Sequence, residues 1–310
     1  MKEHDRGNTS PQKTIAVVMA TYNGAVYLEA QLNSILLQTR MPDKLLICDD
    51  RSTDQTINII ERYRLQHPFI SYVVNEKQLG VVCNFRKAVS LTADVDYIAL
   101  SDQDDEWVPT KLETLYQAMQ EVEDPLVPVI VYSDLMLTDS DGRIRNKSFW
   151  HELGQDGFRH CFETLVFGNF VTGCTVLMNQ EMRTHFIRMP GSALMHDAWL
   201  GLVAFSVGRA ARIEAPLVKY RSHDNNVVFS SGAYKRKNKV QRIADHVKLL
   251  FTRNDYLVKQ LELISLFEQA YQAVLSGEQN RQVSRFLALK NRSYLRKLLL
   301  FRLVFRKHWL

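Results

Sequence analysis

Short apolar runs alternate with helical patterns along the first half of the chain. The runs are rich in β-branched residues, as in TIAVVMAT at 14–21, and several end in a polar cluster. After the first run, Leu28, Leu32 and Ile35 recur at helical spacing. Alternation of this kind is typical of βαβ units and of a mostly parallel sheet. Five strands are predicted in this part, over residues 14–21, 44–50, 70–75, 95–100 and 127–138.

The second half of the chain follows a less regular pattern. Beyond a turn at 139–142 we expect one strand within 169–179, a helix over 196–207 and a late strand over 212–221. From residue 234 onward the pattern indicates helices with a polar and basic surface. The predicted organisation is a flexible N-terminus over 1–13, one α/β domain over 14–230 and a basic helical region over 231–310.

The net charge of +5 at pH 7 conceals a strong asymmetry. Residues 279–310 carry nine Lys or Arg and no Asp or Glu, so subtracting nine from +5 leaves about −4 for the rest of the chain. The basic segment predicts an anionic partner, and attachment to an anionic membrane surface is one hypothesis. The alternative is a helical bundle that packs on the main domain and keeps its basic face in water.

The composition is that of an ordinary folded protein. The polar start lacks the apolar segment of a secretory signal, and no apolar stretch approaches the length of a membrane span. The four cysteines lack the spacing of a metal site, so we expect free thiols in a reducing compartment. These features predict a cytoplasmic location, with peripheral contact to the inner face of the cell membrane if the basic helices bind lipid.

Polar side chains gather where three of the predicted strands end, which is the edge at which open α/β sheets bind ligands. Asp102, Asp104 and Asp105 would repel one another without a positive charge among them, which predicts a divalent cation bound with a phosphorylated ligand. The first strand lacks the glycine-rich fingerprint of dinucleotide-binding and P-loop proteins. The three clusters are Thr21-Tyr22-Asn23, Asp49-Asp50-Arg51-Ser52 and Asp102 to Asp105.

Five motifs in this order resemble the family 2 glycosyltransferases, which have the nucleotide-sugar-binding GT-A fold. The resemblance spans about residues 15–228, and the motifs are most similar to those of bacterial rhamnosyltransferases that build surface polysaccharides. It implies a Rossmann-like α/β domain with a mostly parallel sheet, followed here by a C-terminal helical extension. The matching segments are VVMATYNG at 17–24, ICDDRSTD at 47–54, SDQDD at 101–105, MHDAWL at 195–200 and YRSHDNN at 220–226.

The resemblance implies a Mg²⁺ or Mn²⁺ site that neutralises the departing diphosphate. It assigns Asp104 as the direct metal ligand and Asp102 as a supporting residue near the ribose or a metal-bound water. His223 is expected to reach the metal or the diphosphate, although Asp224 stands where a small or neutral residue is expected. Asp105 is expected in the loop or as a cap of the following helix.

An inverting reaction is also implied, in which a base removes the proton of the acceptor hydroxyl. The resemblance places this base at Asp197, in the segment His196-Asp197-Ala198-Trp199 at the start of a predicted helix. We expect the helix N-terminus to keep Asp197 ionised. Simple capping of that helix is the alternative interpretation.

The remaining site residues are assigned by their places in the motifs. Asp50 resembles the acid that accepts the N3–H of uracil or thymine, while Asp49 is expected to support its loop. Tyr22 is expected to pack on the base, with a core or loop-surface role as the alternative. Asp134 and Trp199 are candidates for contacting sugar, although a Trp at helical spacing is more often part of the core. The predicted set comprises Thr21, Tyr22, Asn23, Asp50, Asp102, Gln103 and Asp134 for the nucleotide sugar, and Gly173, His196 and Trp199 for the acceptor side.

These expectations describe a metal-dependent inverting glycosyltransferase. The preferred donor is dTDP-L-rhamnose, and the acceptor is a hydroxyl of a lipid-linked glycan in cell-surface polysaccharide synthesis. A UDP-hexose donor, such as UDP-galactose, UDP-glucose or UDP-GlcNAc, is the alternative within the same fold. From a different class, a non-catalytic nucleotide-sugar binder is disfavoured by Asp104 and Asp197, and a nucleic-acid-binding protein by the acidic strand ends.

Overall fold

A central sheet with helices on both faces makes up most of the molecule. The computed structural model describes residues 12–157, 159–193, 195–223 and 257–307. The predicted domain boundary near residue 230 and the side chain of Asp224 lie outside the described residues.

The described residues form one sheet of nine strands. The strands are β1 Ile15–Thr21, β2 Lys44–Asp49, β3 Ile70–Val74, β4 Tyr97–Asp102, β5 Glu106–Trp107, β6 Val129–Thr138, β7 Ile144–Asn146, β8 Val176–Asn179 and β9 Arg209–Arg221. Their order across the sheet is β3-β2-β1-β4-β8-β6-β9-β5, and β7 pairs with β6. The short strands β5, β7 and β8 run against their neighbours, whereas the other pairings are parallel. Six of these nine strands therefore run in the same direction, as predicted, while the three short strands make the sheet a mixed one.

Helices connect these strands and continue into the C-terminal region. They are α1 Leu28–Leu36, α2 Thr56–Gln66, α3 Val81–Ser90, α4 Lys111–Val122, α5 Phe149–Leu153, α6 Phe162–Phe167, α7 Gln180–Ile187, α8 His196–Val207, α9 Val258–Tyr271, α10 Gly277–Leu287 and α11 Tyr294–Lys307, with a 3₁₀ turn at Gly173–Thr175. The bounds of α8 match the prediction. Helix α3 begins four residues before the predicted start at Phe85, directly after Gly80, whose φ of 77° marks the turn into the helix.

Strand register brings the predicted polar clusters to one edge of the sheet. Thr21 pairs with Asp49 of β2, and Ala20 pairs with Asp102 of β4. Pairing with β1 also carries β4 two residues beyond its predicted end at Leu100. The carboxyl ends of β2, β1 and β4 therefore lie side by side.

Alternate residues of the strands face two separate apolar layers. In β1, Ile15 and Val17 belong to the layer covered by α1, α2 and α4, whereas Ala16 and Val18 belong to the layer covered by α3 and by α6 to α11. Burial of each large apolar side chain stabilises a fold by about 1.5–3 kcal/mol. This two-sided burial explains why the sequence of β1 is apolar at consecutive positions rather than at alternate ones.

The C-terminal helices pack on the main domain and extend its second apolar layer. Phe267 of α9 and Phe286 of α10 are fully buried in the same cluster as residues of α6 and α8. The ring of Trp199 in α8 lies 5.6 Å from that of Phe267 and 5.8 Å from that of Tyr271. Burial of these aromatic rings makes α9 and α10 part of the fold rather than a detached tail.

A further expectation from the sequence concerns the cysteines. All four cysteines, Cys48, Cys83, Cys161 and Cys174, are free thiols. Within the described ranges, no helix combines the length and apolar composition needed to cross a bilayer.

Candidate active site

A cleft with a volume of about 200 Å³ lies at the carboxyl edge of the sheet. Residues from the ends of β1, β2 and β4 form one wall, and the 3₁₀ turn and the start of α8 form the other. The structure therefore brings together motifs that are far apart in sequence. Of the predicted site residues, the cleft is lined by Thr21, Tyr22, Asp50, Asp102, Gln103, Asp104, Gly173, His196 and Asp197.

A hydrogen-bond network joins the loops that follow β1 and β2. The fully buried Asp49 accepts hydrogen bonds from the Thr21 hydroxyl at 2.7 Å and from the backbone N–H of Ser52 at 2.8 Å. The Asn23 N–H donates to the Ser52 hydroxyl at 2.8 Å, and its side-chain oxygen accepts the N–H of Thr53 at 2.8 Å. Asn23 therefore fixes the two loops to each other and does not line the cleft, in contrast to its predicted contact with the nucleotide sugar.

Asp50 shapes the wall at the far end of the cleft. Its Oδ1 accepts the side-chain N–H of Asn75 at 2.9 Å and the N–H of Leu79 at 2.7 Å, and its Oδ2 accepts the N–H of Gly80 at 2.8 Å. These bonds hold the turn that starts α3. Because a carboxylate oxygen has two lone pairs, Oδ2 can accept a second N–H from a ligand.

Gln103 ties the end of β4 to the end of β1. Its side-chain oxygen accepts the N–H of Tyr22 at 2.9 Å, and its amide nitrogen donates to the carbonyl of Tyr22 at 3.0 Å. A β-carbon at Gly24 would lie 2.1 Å from that oxygen, so the clamp requires glycine there. The Tyr22 ring is left 46% exposed at the cleft.

The acidic cluster concentrates negative charge on one side of the cleft. Burial and the neighbouring charges of Asp104 and Asp197 raise the pKa of Asp102 to about 7. Asp104 Oδ2 lies 2.8 Å from Nε2 of His223, whose ring stacks on Tyr27 with centroids 4.9 Å apart. Carboxylate oxygens and an imidazole are a donor set that suits Mg²⁺ or Mn²⁺, and a cation would relieve the repulsion that raises the Asp102 pKa.

Asp105 lies in the loop between β4 and β5, one of the two positions expected from the sequence, and does not cap a helix. It is fully buried behind the cleft, where its Oδ1 accepts the N–H of Arg221 at 3.4 Å. Ligand atoms of Asp102, Asp105 and Cys174 lie within 4.8 Å of one another. Burial, together with Asp105 and Asp102, raises the pKa of the Cys174 thiol, so it stays protonated and is a poor ligand for a hard cation. A cation would therefore be held better on the side of the cluster that faces the cleft, where Asp102 and Asp104 line the wall.

Lys111 is a buried cation behind the acidic cluster that the sequence analysis missed. Its Nζ donates to the carbonyl of Cys174 at 2.6 Å and lies 3.2 Å from the centroid of the Trp107 ring. Burial lowers its pKa to about 7, although Cys174, Asp105 and Asp102 oppose that change. No local pattern signals this role, because the residues around Lys111 are distant in sequence and meet only in the folded chain.

Asp197 lies on the opposite side of the cleft, in the first turn of α8. Its Oδ1 accepts the N–H of Ala198 at 2.6 Å, and its Oδ2 accepts the N–H of Gly173 at 3.3 Å. Burial nevertheless raises its pKa to about 6, because desolvation outweighs these hydrogen bonds. The backbone hydrogen bonds at the helix start therefore do not lower the pKa of Asp197 below its ordinary value, but the carboxyl is still mostly ionised at pH 7.

His196 and Gly173 form the wall beside Asp197. The imidazole packs between the rings of Phe85 and Phe186, with centroid distances of 4.5 and 5.9 Å. Burial lowers its pKa to about 4, so the ring is neutral near pH 7. A β-carbon at Gly173 would lie 2.6 Å from its Nε2, so only glycine at this position leaves room for the imidazole.

Two predicted sugar contacts occupy different positions in the structure. Asp134 is buried, and its Oδ1 accepts the N–H groups of Phe149 at 3.1 Å and Trp150 at 3.2 Å at the start of α5. Its carboxylate is therefore engaged in fixing α5 and does not line the cleft. Trp199 is buried against α9 and lies in the core, because its position in α8 faces the C-terminal helices.

Comparison with known proteins identifies the chain. Residues 16–195 match the model of the family described as glycosyl transferase family 2, which is more than half of the chain. The chain belongs to glycosyl transferase family 2. It is therefore a glycosyltransferase, and the resemblance inferred from the five motifs is confirmed at this level. Among curated relatives, a dTDP-rhamnosyl transferase, RfbG of Shigella flexneri, is 28% identical over 80% of this chain and 83% of its own length.

Solved structures of glycosyltransferases share the fold. The Staphylococcus aureus protein TarS, residues 1–349 in complex with UDP-GlcNAc, superposes with a TM-score of 0.53 at 17% identity, covering 88% of this chain and 79% of TarS. The mannosyltransferase PcManGT of Pyrobaculum calidifontis, in complex with GDP-Man and Mn²⁺, gives a TM-score of 0.53 at 17% identity, covering 94% and 79% of the two chains. These likenesses support the GT-A fold that was predicted.

Replacing Asp197 by Asn is expected to stabilise this family 2 enzyme. A buried carboxyl whose pKa is about 6 destabilises the native state once the pH exceeds its ordinary value near 3.8. The cost grows between those pH values and reaches about 3 kcal/mol above pH 6, at 1.36 kcal/mol per pKa unit. Thermal unfolding should therefore show a higher Tm for Asp197→Asn at pH 7.5, and a much smaller difference at pH 4.5.

Asp96→Asn is the matched control. At Asp96 partial burial opposes ionisation, but hydrogen bonds from Thr14 and Lys13 outweigh it and lower the pKa. Its ionised form therefore stabilises the fold at pH 7.5, and Asp96→Asn should lower the Tm there. If the Tm of Asp197→Asn at pH 7.5 were equal to or below that of the wild-type protein, burial of the ionised Asp197 would not destabilise the fold as argued.

Proposed function

We propose that this family 2 glycosyltransferase transfers a sugar with inversion from a nucleoside diphosphate to a glycan hydroxyl. The preferred donor is dTDP-L-rhamnose, and the acceptor is a lipid-linked glycan of the cell surface. One observation carries the proposal: Asp102 and Asp104 face Asp197 across a single cleft. This arrangement separates a leaving-group side from an acceptor side, as displacement with inversion requires.

The donor nucleotide is proposed to lie along the ends of β1 and β2. Asp50 would accept the N3–H of a pyrimidine at Oδ2, while the exposed ring of Tyr22 packs on the base. Uracil and thymine both offer this N3–H. The S. flexneri relative favours a dTDP-sugar, whereas the UDP-GlcNAc bound by TarS keeps a UDP-hexose as the alternative.

A divalent cation would be held by Asp104, with Asp102 and His223 in support. When bound, Mg²⁺ or Mn²⁺ supplies positive charge to the diphosphate oxygens as the sugar departs. PcManGT was solved with Mn²⁺, which favours the same class of cofactor. Within the protein, the His223 imidazole holds Asp104 through their 2.8 Å contact and is itself braced by Tyr27.

Asp197 is proposed as the base on the acceptor side. Its pKa of about 6 lies close to the working pH, which suits a group that must be ionised and yet accept a proton. The N–H of Gly173 and the N–H of Ala198 aim its two oxygens. Neutral His196 beside it adds no competing positive charge.

Nucleotide selectivity can be measured by thermal shift with dTDP, UDP and GDP, each with Mn²⁺ or with EDTA. At about a hundred times its Kd, a ligand stabilises the native state by about 2.7 kcal/mol, which raises the Tm by about 5 °C. We expect the largest shift with dTDP and Mn²⁺. Asp104→Asn should abolish the difference between Mn²⁺ and EDTA.

The exposed Asp94→Asn variant is the control for that screen, because it removes one acidic charge far from the cleft. It should behave as the wild-type protein. If GDP gave the largest shift, the assignment of Asp50 to a pyrimidine would be wrong. If the nucleotide raised the Tm as much in EDTA as in Mn²⁺, the proposed metal site would be wrong.

Removal of the proposed catalytic base should lower the rate of sugar transfer without weakening donor binding. Asp197→Asn is expected to lower kcat by about 10²–10⁴, the usual contribution of a general base, while the thermal shift with nucleotide and Mn²⁺ is retained. In the wild-type enzyme kcat should rise with pH through about 6, because only the ionised carboxylate accepts the proton. Near wild-type transfer by Asp197→Asn would show that another group is the base.

The exposed face of α11 supports contact with an anionic membrane. Leu295, Leu299 and Leu303 are 61%, 60% and 54% exposed and recur every four residues along one face. Arg302 and Arg306 are exposed three residues after two of these leucines, which places them beside the same face. Leucines at the surface with arginine side chains around them are typical of helices that lie in a lipid interface.

Sedimentation with vesicles tests this surface. We expect binding to vesicles that contain phosphatidylglycerol and none to phosphatidylcholine alone, because the flanking charges require an anionic surface. Changing Leu295, Leu299 and Leu303 together to Ser should weaken binding at least about tenfold, given about 1.5–3 kcal/mol for each leucine that leaves water.

The matched control changes three exposed leucines elsewhere, Leu37, Leu65 and Leu126, to Ser. This variant should bind as the wild-type protein. Equal binding of both triple variants would exclude α11 as the contact surface. Competition by duplex DNA without any binding to vesicles would instead indicate a nucleic-acid partner.

A further inference from the structure

A second cavity lies beside the cleft on the far side of Asp197. Its volume is about 180 Å³. Thr172, Met195, Asp197 and Tyr220 line both the cleft and this cavity, so Asp197 stands at the boundary between them. A group bound in the second cavity is thus next to the proposed base and opposite the proposed donor.

The walls of the second cavity are mainly apolar. Leu135, Phe170, Val171 and Leu263 are buried side chains that face it, and Phe149 and Leu153 are half-buried there. Leu263 comes from α9, so the C-terminal helices complete a pocket that opens toward the proposed base.

Two polar side chains in this cavity are engaged with the backbone, whereas Thr172 and Tyr220 lie at its boundary with the cleft. The Asn169 amide donates to the carbonyl of Val171 at 2.6 Å and accepts its N–H at 3.0 Å. The Gln260 amide donates to the carbonyls of Leu165 and Val166 at 2.9 and 3.1 Å. The carboxylate of Asp197 is therefore the charged group that a ligand meets, and it lies at one end of an apolar space.

A cavity with apolar walls and a carboxylate at one end should prefer a ligand with one hydroxyl at its edge and an apolar surface behind it. A hydroxyl-rich face would lose its hydrogen bonds to water without replacement in such a pocket. The size points to one six-membered ring, since a cavity of about 150 Å³ accommodates benzene. A polyprenyl chain would be too long for the space, which leaves the sugar portion of the acceptor.

We propose that the second cavity binds the acceptor sugar and selects a pyranoside that carries a methyl group. Two sugar classes share this chemistry: 6-deoxyhexoses, with a methyl at C5, and N-acetylhexosamines, with an acetamido methyl. The methyl and the adjoining ring face lie against Leu135, Phe170 and Leu263, and the attacking hydroxyl lies at Asp197. This inference rests on the proposed role of Asp197 as the base.

Matched pairs of simple acceptors test the inference with the full-length enzyme, Mn²⁺ and the donor of the nucleotide class with the largest thermal shift. Octyl α-L-rhamnoside is compared with octyl α-L-mannoside, and octyl β-GlcNAc with octyl β-glucoside. Each pair exchanges a methyl-bearing group for a hydroxyl-bearing one. We expect at least about a tenfold higher kcat/KM for the methyl-bearing member of one pair, as apolar pockets usually discriminate by 10–200-fold. The pair that shows this preference tells whether the cavity binds a 6-deoxyhexose or an N-acetylhexosamine.

Val171→Thr locates the selectivity in this cavity, because it places a hydroxyl on the wall without a large change of volume. It should reduce the preference at least threefold. Val166→Thr is the matched control: Val166 is equally buried but does not line the cavity, so the preference should persist. Saturation-transfer NMR adds a readout independent of turnover, and the methyl protons of the preferred glycoside should receive the strongest saturation in the wild-type protein.

If kcat/KM were equal for the two members of each pair, or higher for the hydroxyl-bearing member, the inference would be wrong while the glycosyltransferase function would stand. So would failure of all four acceptors in an enzyme that still hydrolyses its donor slowly. A preference that survives in Val171→Thr to the same extent as in Val166→Thr would place the selectivity elsewhere. Failure to bind any nucleotide would instead refute the proposed function itself.

Discussion

Electrostatic repulsion among carboxylates at one sheet edge is the constraint on which this site depends. Asp102, Asp104, Asp105 and Asp197 are brought together where water is largely excluded, and burial raises the pKa of three of them, Asp102, Asp105 and Asp197. Lys111 lies behind them, close to the backbone of Cys174, and offsets part of this charge when it is protonated, although burial lowers its pKa to about 7. Such crowding lowers the stability of the empty site and makes binding of a cation and its ligand more favourable.

Backbone geometry at a few positions keeps this crowded site in order. Gly24 leaves room for the Gln103 clamp, and Gly173 leaves room for His196 while its N–H holds Asp197. Neither glycine needs a left-handed φ; each is required because another side chain occupies the space of its β-carbon. Side-chain packing and backbone hydrogen bonding therefore position the two halves of the site together.

The C-terminal helices contribute both to the core and to the wall of the second cavity. Their inner faces supply Phe267 and Phe286 to the core, and α9 places Leu263 and Gln260 at the second cavity. The outer face of α11 carries leucines and arginines that point away from the core. The sequence hypotheses of a packed bundle and of a membrane surface are thus compatible, because they concern opposite sides of the same region.

Much of the fold could be predicted because its signals are local. The apolar run at Ile15–Thr21 and the start of α8 at His196 are visible in short windows of sequence. Asp197 could be located because its motif coincides with a helix start. The long-range partners of several residues could not be predicted: Asp134 bonds to the N-terminus of α5, Trp199 packs on α9, and Asp105 accepts the N–H of Arg221. The short helices and strands have too few residues to show a hydrophobic periodicity. The wall that Gln260 and Leu263 give to the second cavity depends on tertiary packing, which a short window of sequence does not reveal.

If Asp50 binds the nucleobase as proposed, its position limits how donor specificity can change during evolution. Its carboxylate faces the cleft and also fixes the turn at Leu79 and Gly80 that starts α3. Helix α3 in turn presents Phe85 to the ring of His196, beside Asp197. A substitution at Asp50 would therefore disturb the surroundings of Asp197 as well as the proposed contact with the nucleobase. A relative that uses a donor with a different nucleotide must either keep an acidic residue at position 50 and change the residues around it, or change the turn and α3 together with position 50.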